Sequence, residues 1–216
     1  MSFSVMLSQL AKGMTVTTEI FFVTLIFSLP LGLLVCWGKM SKIKIIRWIV
    51  SAYISIMRGT PLMLQLMVVY FGPYFIFGIR ISMGYSLIAV FIAFAINYAA
   101  YFAEIFRGGI EAIPTGQYEA AKVLKMTQLQ TIRYIILPQV FKIVLPSVFN
   151  EVINLVKDSS LVYVLGIRDL LQESQIASNR DASLIPIFFA GAIYLILIGL
   201  ATVLSKQVEK KFNYYK

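Results

Sequence analysis

Long uncharged stretches divide this sequence into segments long enough to cross a membrane. Four of them contain no Asp, Glu, Lys or Arg over 19, 21, 23 and 24 residues, at positions 20–38, 59–79, 81–103 and 182–205. A fifth, at 143–167, is apolar except for Glu151, Lys157 and Asp158. Since an α-helix needs about 20 apolar residues to cross the hydrocarbon layer, the pattern predicts five transmembrane helices.

The apolar runs are continuous and do not alternate with polar residues, which favours helices over a β-barrel. We therefore predict an all-α integral membrane protein with one transmembrane domain over residues 1–216. We expect residues 1–13 to form a separate short helix on the outer surface. The predicted spans are 14–38, 48–77, 81–106, 138–165 and 182–206, and the third and fourth are joined by an inner loop at 108–137.

Composition supports a membrane location. Of the 216 residues, 59% are hydrophobic and only 13% are charged, and the mean hydropathy is +0.83. Soluble domains are about 45–50% apolar and about 25% charged, so lipid must solvate part of this apolar surface. The single cysteine, Cys36, excludes a disulfide within the chain.

The basic residues predict the orientation of the chain. Thirteen Lys and Arg follow the first, third and fifth spans, within 39–47, 107–142 and 206–216, whereas four lie on the other side. Cytoplasmic loops carry the excess of Lys and Arg, so we expect the N-terminus outside and the C-terminus in the cytoplasm. The net charge of +9 then serves orientation and contact with anionic lipid, and it gives no indication of nucleic-acid binding.

The fourth span presents a polar face. On a helical wheel, polar side chains of both charge signs fall within an arc of roughly 120°; they are Asn150, Glu151, Asn154, Lys157 and Asp158. Asp158 and the serines after it, including Ser159, predict a local break in the helix near mid-span. Charges at this depth indicate either a site for a zwitterionic amino acid, with Lys157 toward its carboxylate, or a structural ion-pair network.

The second and third spans also carry polar residues at membrane depth. Asn97, Tyr101 and Glu104 share one face of the third span, and Arg58 precedes the second apolar run. We expect Arg58 or Arg107 to neutralise Glu104 near the inner interface. Arg58 and Asn97 are further candidates for a substrate path or its gating.

The sequence also lacks several kinds of site. It contains no Gly-rich phosphate loop followed by Lys and Ser or Thr, no histidine and only one cysteine. We therefore expect no ATP site, no metal site and no catalytic residue in this chain.

The inner loop carries a recognisable motif. Glu119-Ala120-Ala121, followed by the Pro138-Gln139 segment, resembles the EAA loop of bacterial ABC importer permeases. Three other segments are similar to the polar amino-acid uptake subfamily, at 58–65, 103–110 and 154–161. The resemblance extends from about residue 13 to residue 211, and its four motifs occur in the family order.

This resemblance implies a permease subunit that transports amino acids by alternating access in the bacterial inner or plasma membrane. A second permease copy or homologue, two cytoplasmic ATPase subunits holding ATP and Mg²⁺, and an extracellular or periplasmic solute-binding protein would complete the importer. The residues implied in coupling to the ATPase are Gly116, Tyr118, Glu119, Ala120, Ala121 and Lys125. Lys125 departs from the family, which has glycine there, and lysine avoids backbone angles that glycine adopts.

Two other functions are compatible with the polar residues alone. A secondary carrier or channel could use the polar face of the fourth span, and its uptake would follow an ion gradient without ATP. A membrane scaffold could use the inner loop to dock a soluble partner, and it would not stimulate an ATPase.

Overall fold

The computed structural model describes residues 3–82 and 84–212, and nearly all of them are helical. The α-helices are α1 (Phe3–Lys39), α2 (Lys44–Gly59), α3 (Leu62–Phe77), α4 (Tyr85–Glu111), α5 (Thr115–Val123), α6 (Gln128–Gln130), α7 (Leu137–Asp158), α8 (Leu170–Asp181) and α9 (Ile185–Phe212). A π-helical turn, Thr131–Ile136, precedes α7, and a 3₁₀ helix, Ser159–Leu165, follows it. The predicted all-α class is confirmed.

The described chain contains four helical segments long and apolar enough to cross a membrane, and a fifth if a bent pair counts as one span. The four are α1, α4, α9 and the segment Gln128–Leu165, which contains α7. The bent pair is α2 and α3, whose axes differ by 110°. These segments agree with the predicted number of spans.

Helices α1 and α4 form the scaffold of the bundle. The buried residues of α1 recur every three or four positions and are mostly small; they include Gly13, Thr17, Thr24, Ser28, Gly32 and Cys36. Small residues let helix backbones approach closely in a membrane. At Gly32 a Cβ atom would lie 2.7 Å from the Cβ of Phe102 on α4, so only glycine fits there.

Aromatic residues of α4 fill the centre of the bundle. Phe94, Tyr98 and Phe102 are buried and lie one helical turn apart, and they pack against buried residues of α1, α3, α7 and the 3₁₀ helix. The close approach of α4 and α7 depends on Gly109, where an added Cβ would lie 2.2 Å from Val144 Cγ1. α4 is therefore the central helix against which the others are positioned.

The N-terminal segment differs from the prediction. We expected a separate outer helix over residues 1–13, but residues 3–13 are continuous with the first span in α1. Met6 and Leu10 are buried against Leu170 of α8 and Ala190 of α9. This packing gives the N-terminal end of α1 an apolar contact, which removes the reason for the helix to break.

The second predicted span is not one straight helix. The expected span 48–77 is divided at Thr60 and Pro61 into α2 and α3. Proline has no backbone N–H and disfavours helical angles in the preceding residue, and Thr60 is indeed extended, with φ −124° and ψ 148°. The sharp bend follows from this Thr-Pro pair.

The inner loop also differs in its second half. The region predicted as a loop at 108–137 contains two helical segments, and α5 is the first of them. The second begins at Gln128 and continues through the π-helical turn into α7. Pro138 cannot donate the α-helical hydrogen bond to residue 134, and a wider turn just before it lets the helix continue without that bond.

Candidate functional site

Where the sequence predicts a local break near mid-span, the α-helix changes to a 3₁₀ helix and the segment stays helical. α7 ends at Asp158, and the chain continues as a 3₁₀ helix until Gly166, which has a left-handed backbone with φ 70°. The Ser159 hydroxyl donates to the carbonyl of Val156 and the Ser160 hydroxyl to that of Lys157, each at 2.8 Å. Both serines thus satisfy carbonyl groups where the hydrogen-bonding pattern changes. Ser159 is fully buried and does not line an open path in this structure.

Three side chains of α7 share a partly exposed face. Glu151, Asn154 and Asp158 are half-buried and follow the i, i+3, i+7 spacing of one helix surface. The Tyr98 hydroxyl of α4 donates to Asp158 Oδ2 at 2.8 Å. This hydrogen bond fixes one carboxylate oxygen of Asp158 against α4.

Lys157 lies beside this face and is exposed. Among the described residues it forms no ion pair with Glu151 or Asp158. The structural alternative was an ion-pair network that holds helices together or to a second subunit, and none of the ion pairs among the described residues involves Glu151, Lys157 or Asp158. Lys157 and the two carboxylates thus place both charge signs on adjacent surfaces of α7.

Asn97 has a different position from the α7 residues. It is buried, and its amide nitrogen donates to the carbonyl of Met57 at 3.1 Å and to Gln65 Oε1 at 2.9 Å. Gln65 in turn donates to the carbonyls of Met57 and Thr60, at 3.0 and 3.1 Å. The Gln65 amide group thus stabilises the bend between α2 and α3.

Sequence reasoning did not identify Gln65. The sequence feature that could have identified it is a long polar side chain inside an uncharged run, four residues after Pro61. A helix interrupted at a proline leaves carbonyl groups without partners, and such a side chain can donate to them. Polar residues near a proline in a membrane span are therefore candidates for satisfying backbone groups as well as binding substrate.

The charges near the C-terminal end of α4 form the expected contacts. Glu104 pairs with Arg107 at 2.6 Å and with Arg58 at 3.9 Å. The Arg58 guanidinium also lies over the Tyr101 ring, 5.4 Å from its centroid. The predicted neutralisation of Glu104 is confirmed, and Arg58 joins the end of α2 to α4.

The EAA segment forms an exposed helix, α5. Gly116, Tyr118, Glu119 and Ala120 are exposed, whereas Ala121 is buried toward the bundle. The first four are therefore on a surface open to a partner. Ala121 lies on the buried side of the helix.

Lys125 adopts the conformation for which the family has glycine. Its φ is 53°, in the left-handed region. The Lys125 N–H donates to the carbonyl of Lys122 and the Met126 N–H to that of Ala121, each at 3.0 Å, which is the Schellman pattern that ends a helix. The turn after α5 thus forms despite the departure from the family, with a strained lysine at its apex.

A polar cluster lies between α1 and residues 166–169, which link the 3₁₀ helix to α8. Asp169 is fully buried, and its Oδ1 accepts from the Gln172 N–H at 2.9 Å and caps α8. The Leu170 N–H donates to Thr17 Oγ1 at 3.2 Å, and a Cβ at Gly13 would lie 2.6 Å from the Asp169 carbonyl oxygen. Burial raises the pKa of Asp169 to about 6. Sequence reasoning did not identify this cluster.

The described residues contain no group of three or more His, Cys, Asp or Glu side chains that could hold a metal ion. The described helices that are long and apolar enough to cross a membrane, together with polar groups on α7 and an exposed helix α5, define a multi-pass membrane protein.

The chain belongs to the family of binding-protein-dependent transport system inner membrane components, whose model matches residues 28–214. It is 36% identical over 203 residues to the arginine transport system permease protein ArtQ of Bacillus subtilis, covering 94% of this chain and 91% of that protein. It is 34% identical over 209 residues to the L-cystine transport system permease protein TcyB of Bacillus subtilis, covering 95% and 87%.

A solved structure has the same fold. It is the crystal structure of an amino acid ABC transporter with histidines, to which this chain is similar with a TM-score of 0.87 and 35% identity. The match covers 98% of this chain and 99% of that one. The resemblance to ABC importer permeases inferred from four sequence motifs is therefore confirmed along the chain.

Proposed function

We propose that this chain is the membrane-spanning permease subunit of an ATP-driven importer for polar amino acids or close analogues. The observation that carries the proposal is the α7 face, where Lys157, Glu151 and Asp158 combine both charge signs beside the change from α-helix to 3₁₀ helix. Similarity to amino-acid permeases over nearly the whole chain supports it. Lys157 suits a substrate carboxylate, and the two acidic side chains suit its ammonium group.

Energy would come from separate subunits. We expect α5 to be the coupling helix, with exposed Glu119 and Tyr118 contacting a cytoplasmic ATPase that holds ATP and Mg²⁺. A second permease subunit would face the α7 surface across the path, and a solute-binding protein would deliver substrate from outside. The chain itself would then perform no catalysis, with its N-terminus outside and its C-terminus in the cytoplasm.

The main test is uptake by the reconstituted importer. We expect proteoliposomes containing this permease, its ATPase and its binding protein to accumulate a labelled amino acid only when ATP is inside and the binding protein is outside. Uptake that continues without ATP and follows an ion gradient would instead identify a secondary carrier. A panel of basic, acidic, amide and sulfur-containing amino acids identifies the substrate.

The role of α5 has its own test. Glu119→Lys should leave the complex assembled but reduce ATP-driven uptake at least tenfold, a change of about 1.4 kcal/mol in the effective barrier. Glu209→Lys, which makes the same charge change near the end of α9, serves as the control and should retain uptake. Full uptake by an assembled Glu119→Lys complex would reject the coupling role.

A further inference from the structure

The start of α2 extends away from the bundle. All eight residues from 42 to 49 are exposed, although residues 44–49 are helical and therefore point in every direction around the axis. Five of the eight are large apolar residues and the other three are basic; the basic ones are Lys42, Lys44 and Arg47. We call residues 42–49 the projecting segment.

On a helical wheel with 100° of rotation per residue, the side chains of α2 form three stripes along the helix. Tyr53, Met57 and Val50 lie on the side packed against α1 and α4. Ile45, Ile49 and Ile56 form a second stripe and are all more than half exposed, at 70%, 55% and 56%. A third stripe is polar and contains Lys44, Arg47, Ser51 and Arg58. An exposed apolar stripe beside a basic stripe is typical of a helix that lies in a membrane interface.

The direction of α2 agrees with an interfacial position. A Cβ at Gly38 of α1 would approach both Val50 and Ile46, at 2.9 and 3.8 Å, although these two residues lie one turn apart on α2. Nearby, Lys39 Nζ donates to Ser51 Oγ at 2.7 Å. These contacts place α2 against the basic end of α1. Because the axes of α2 and α3 differ by 110°, α2 cannot lie along the bilayer normal when α3 crosses the membrane.

The basic residues of the projecting segment have no acidic partner. None of the three forms an ion pair within the described residues. The sequence contains no Asp or Glu between Glu19 and Glu104, and Glu104 is already paired with Arg107 and Arg58. The complementary charge must come from outside this part of the chain.

We propose that the projecting segment lies in the cytoplasmic membrane interface and binds the headgroups of anionic phospholipids. Ile45 and Ile49 would enter the acyl region, Trp48 would sit at headgroup level, and Lys44 and Arg47 would contact lipid phosphates. The proposal is independent of which substrate is transported. It assigns this segment a lipid partner in addition to its role as a connection between spans.

The position of α2 is tested by spin labels in the membrane. In a Cys36→Ala background, single cysteines replace Ile45 or Ile56 in the ATPase-bound complex, and oxygen and nickel accessibilities give the depth of each label. A helix along the bilayer normal would place these positions about 16 Å apart in depth. We expect both labels to be accessible to oxygen and to differ by less than half of that.

A depth difference near the full value would overturn the interfacial position. Immobilised labels at Ile45 that neither oxygen nor nickel reaches would also overturn the proposal, because the segment would then be covered by protein.

The lipid preference is tested separately. Spin-labelled phosphatidylglycerol and phosphatidylcholine, added to the reconstituted complex, report how much of each lipid is held at the protein surface. We expect the preference for phosphatidylglycerol to fall at least threefold in the combined variant Lys42→Gln, Lys44→Gln, Arg47→Gln. The control combines Lys206→Gln, Lys210→Gln and Lys211→Gln on the same predicted side, and it should change the preference less. Equal losses in the two variants, or no preference in the unmodified complex, would overturn the proposal.

Discussion

Helices α1 and α7 both contact the central helix α4, but they do so with opposite kinds of surface. α1 is one continuous helix whose buried stripe is made of small residues, so that its backbone lies close to α4. α7 is preceded by a π turn, followed by a 3₁₀ helix, and carries half-buried charged groups. One part of the bundle thus fixes its shape, while another keeps charged groups that are only half-buried.

The largest expected effect is on the α1 side of this comparison. Gly32→Leu would force side-chain atoms into Phe102, whose Cβ lies 2.7 Å from the added Cβ position. Overpacking a membrane helix contact should cost about 3 kcal/mol and reduce the yield of folded protein severely. Gly199→Leu is the control, because nothing lies within 4 Å of a Cβ there. Fluorescence-detected size exclusion measures both, and equal yields would contradict the scaffold role of α1.

Residues 166–169 link the 3₁₀ helix after α7 to α8 and contact α1, and the buried Asp169 among them predicts a pH dependence. The pKa of Asp169 is raised to about 6 in the folded protein by burial, so the unfolded chain loses this proton at lower pH than the folded chain does. The contribution of Asp169 to the free energy of unfolding should therefore be greatest below about pH 4. It should fall by about 3 kcal/mol between about pH 4 and 6 and stay constant at higher pH.

The measurement for Asp169 is the melting temperature of the detergent-solubilised protein across this pH range. Asp169→Asn keeps an acceptor at the cap of α8 but cannot ionise, so it should lose this component of the pH dependence. Asp181→Asn, near the other end of α8, should retain it. An unchanged profile in Asp169→Asn would show that Asp169 is not the titrating group.

A substitution on the α7 side of this comparison should reduce transport without affecting folding. Asp158→Asn keeps an oxygen that can accept from Tyr98, so the melting temperature should change little. Loss of the negative charge should reduce ATP-driven uptake about tenfold or more, equivalent to about 1.4 kcal/mol. Gln172→Glu on α8, a charge change away from this face, should not reduce uptake. Loss of folded Asp158→Asn protein would instead assign Asp158 to the scaffold.

The smallest expected effect concerns the exposed helix α5. Lys125→Gly should relieve a left-handed backbone with φ 53° and stabilise the turn by about 1 kcal/mol. Lys122→Gly, inside the same helix, should destabilise it by a similar amount. Amide hydrogen exchange in residues 121–127 should become about fivefold slower in the first variant and faster in the second. The same direction of change in both would contradict the strain at Lys125.

The pattern of apolar residues was sufficient to predict the all-helical membrane fold. A continuous apolar segment in lipid must satisfy its backbone hydrogen bonds internally, and an α-helix does this. The sequence also placed the change of helical structure after Asp158 and the pairing of Glu104 with Arg58 and Arg107, since charges at membrane depth need local partners. These features depend on the chemistry of neighbouring residues in one or two helices.

The features that were missed depend on contacts between distant segments. The continuity of α1 from Phe3 depends on Leu170 and Ala190, more than 150 residues away. The role of Asn97 depends on Gln65 and on a carbonyl group at the α2–α3 bend. Helical periodicity contains no information on either contact, so the sequence could not identify the partners of Asn97.

The bend between α2 and α3 has a consequence for membrane insertion. Its carbonyl groups are satisfied by Gln65, which is itself held by Asn97, a residue synthesised 32 positions later. Until α4 enters the membrane, the broken span lacks this partner in an environment where unsatisfied polar groups are costly. The second and third crossings should therefore become stable together, as one cooperative unit of biogenesis.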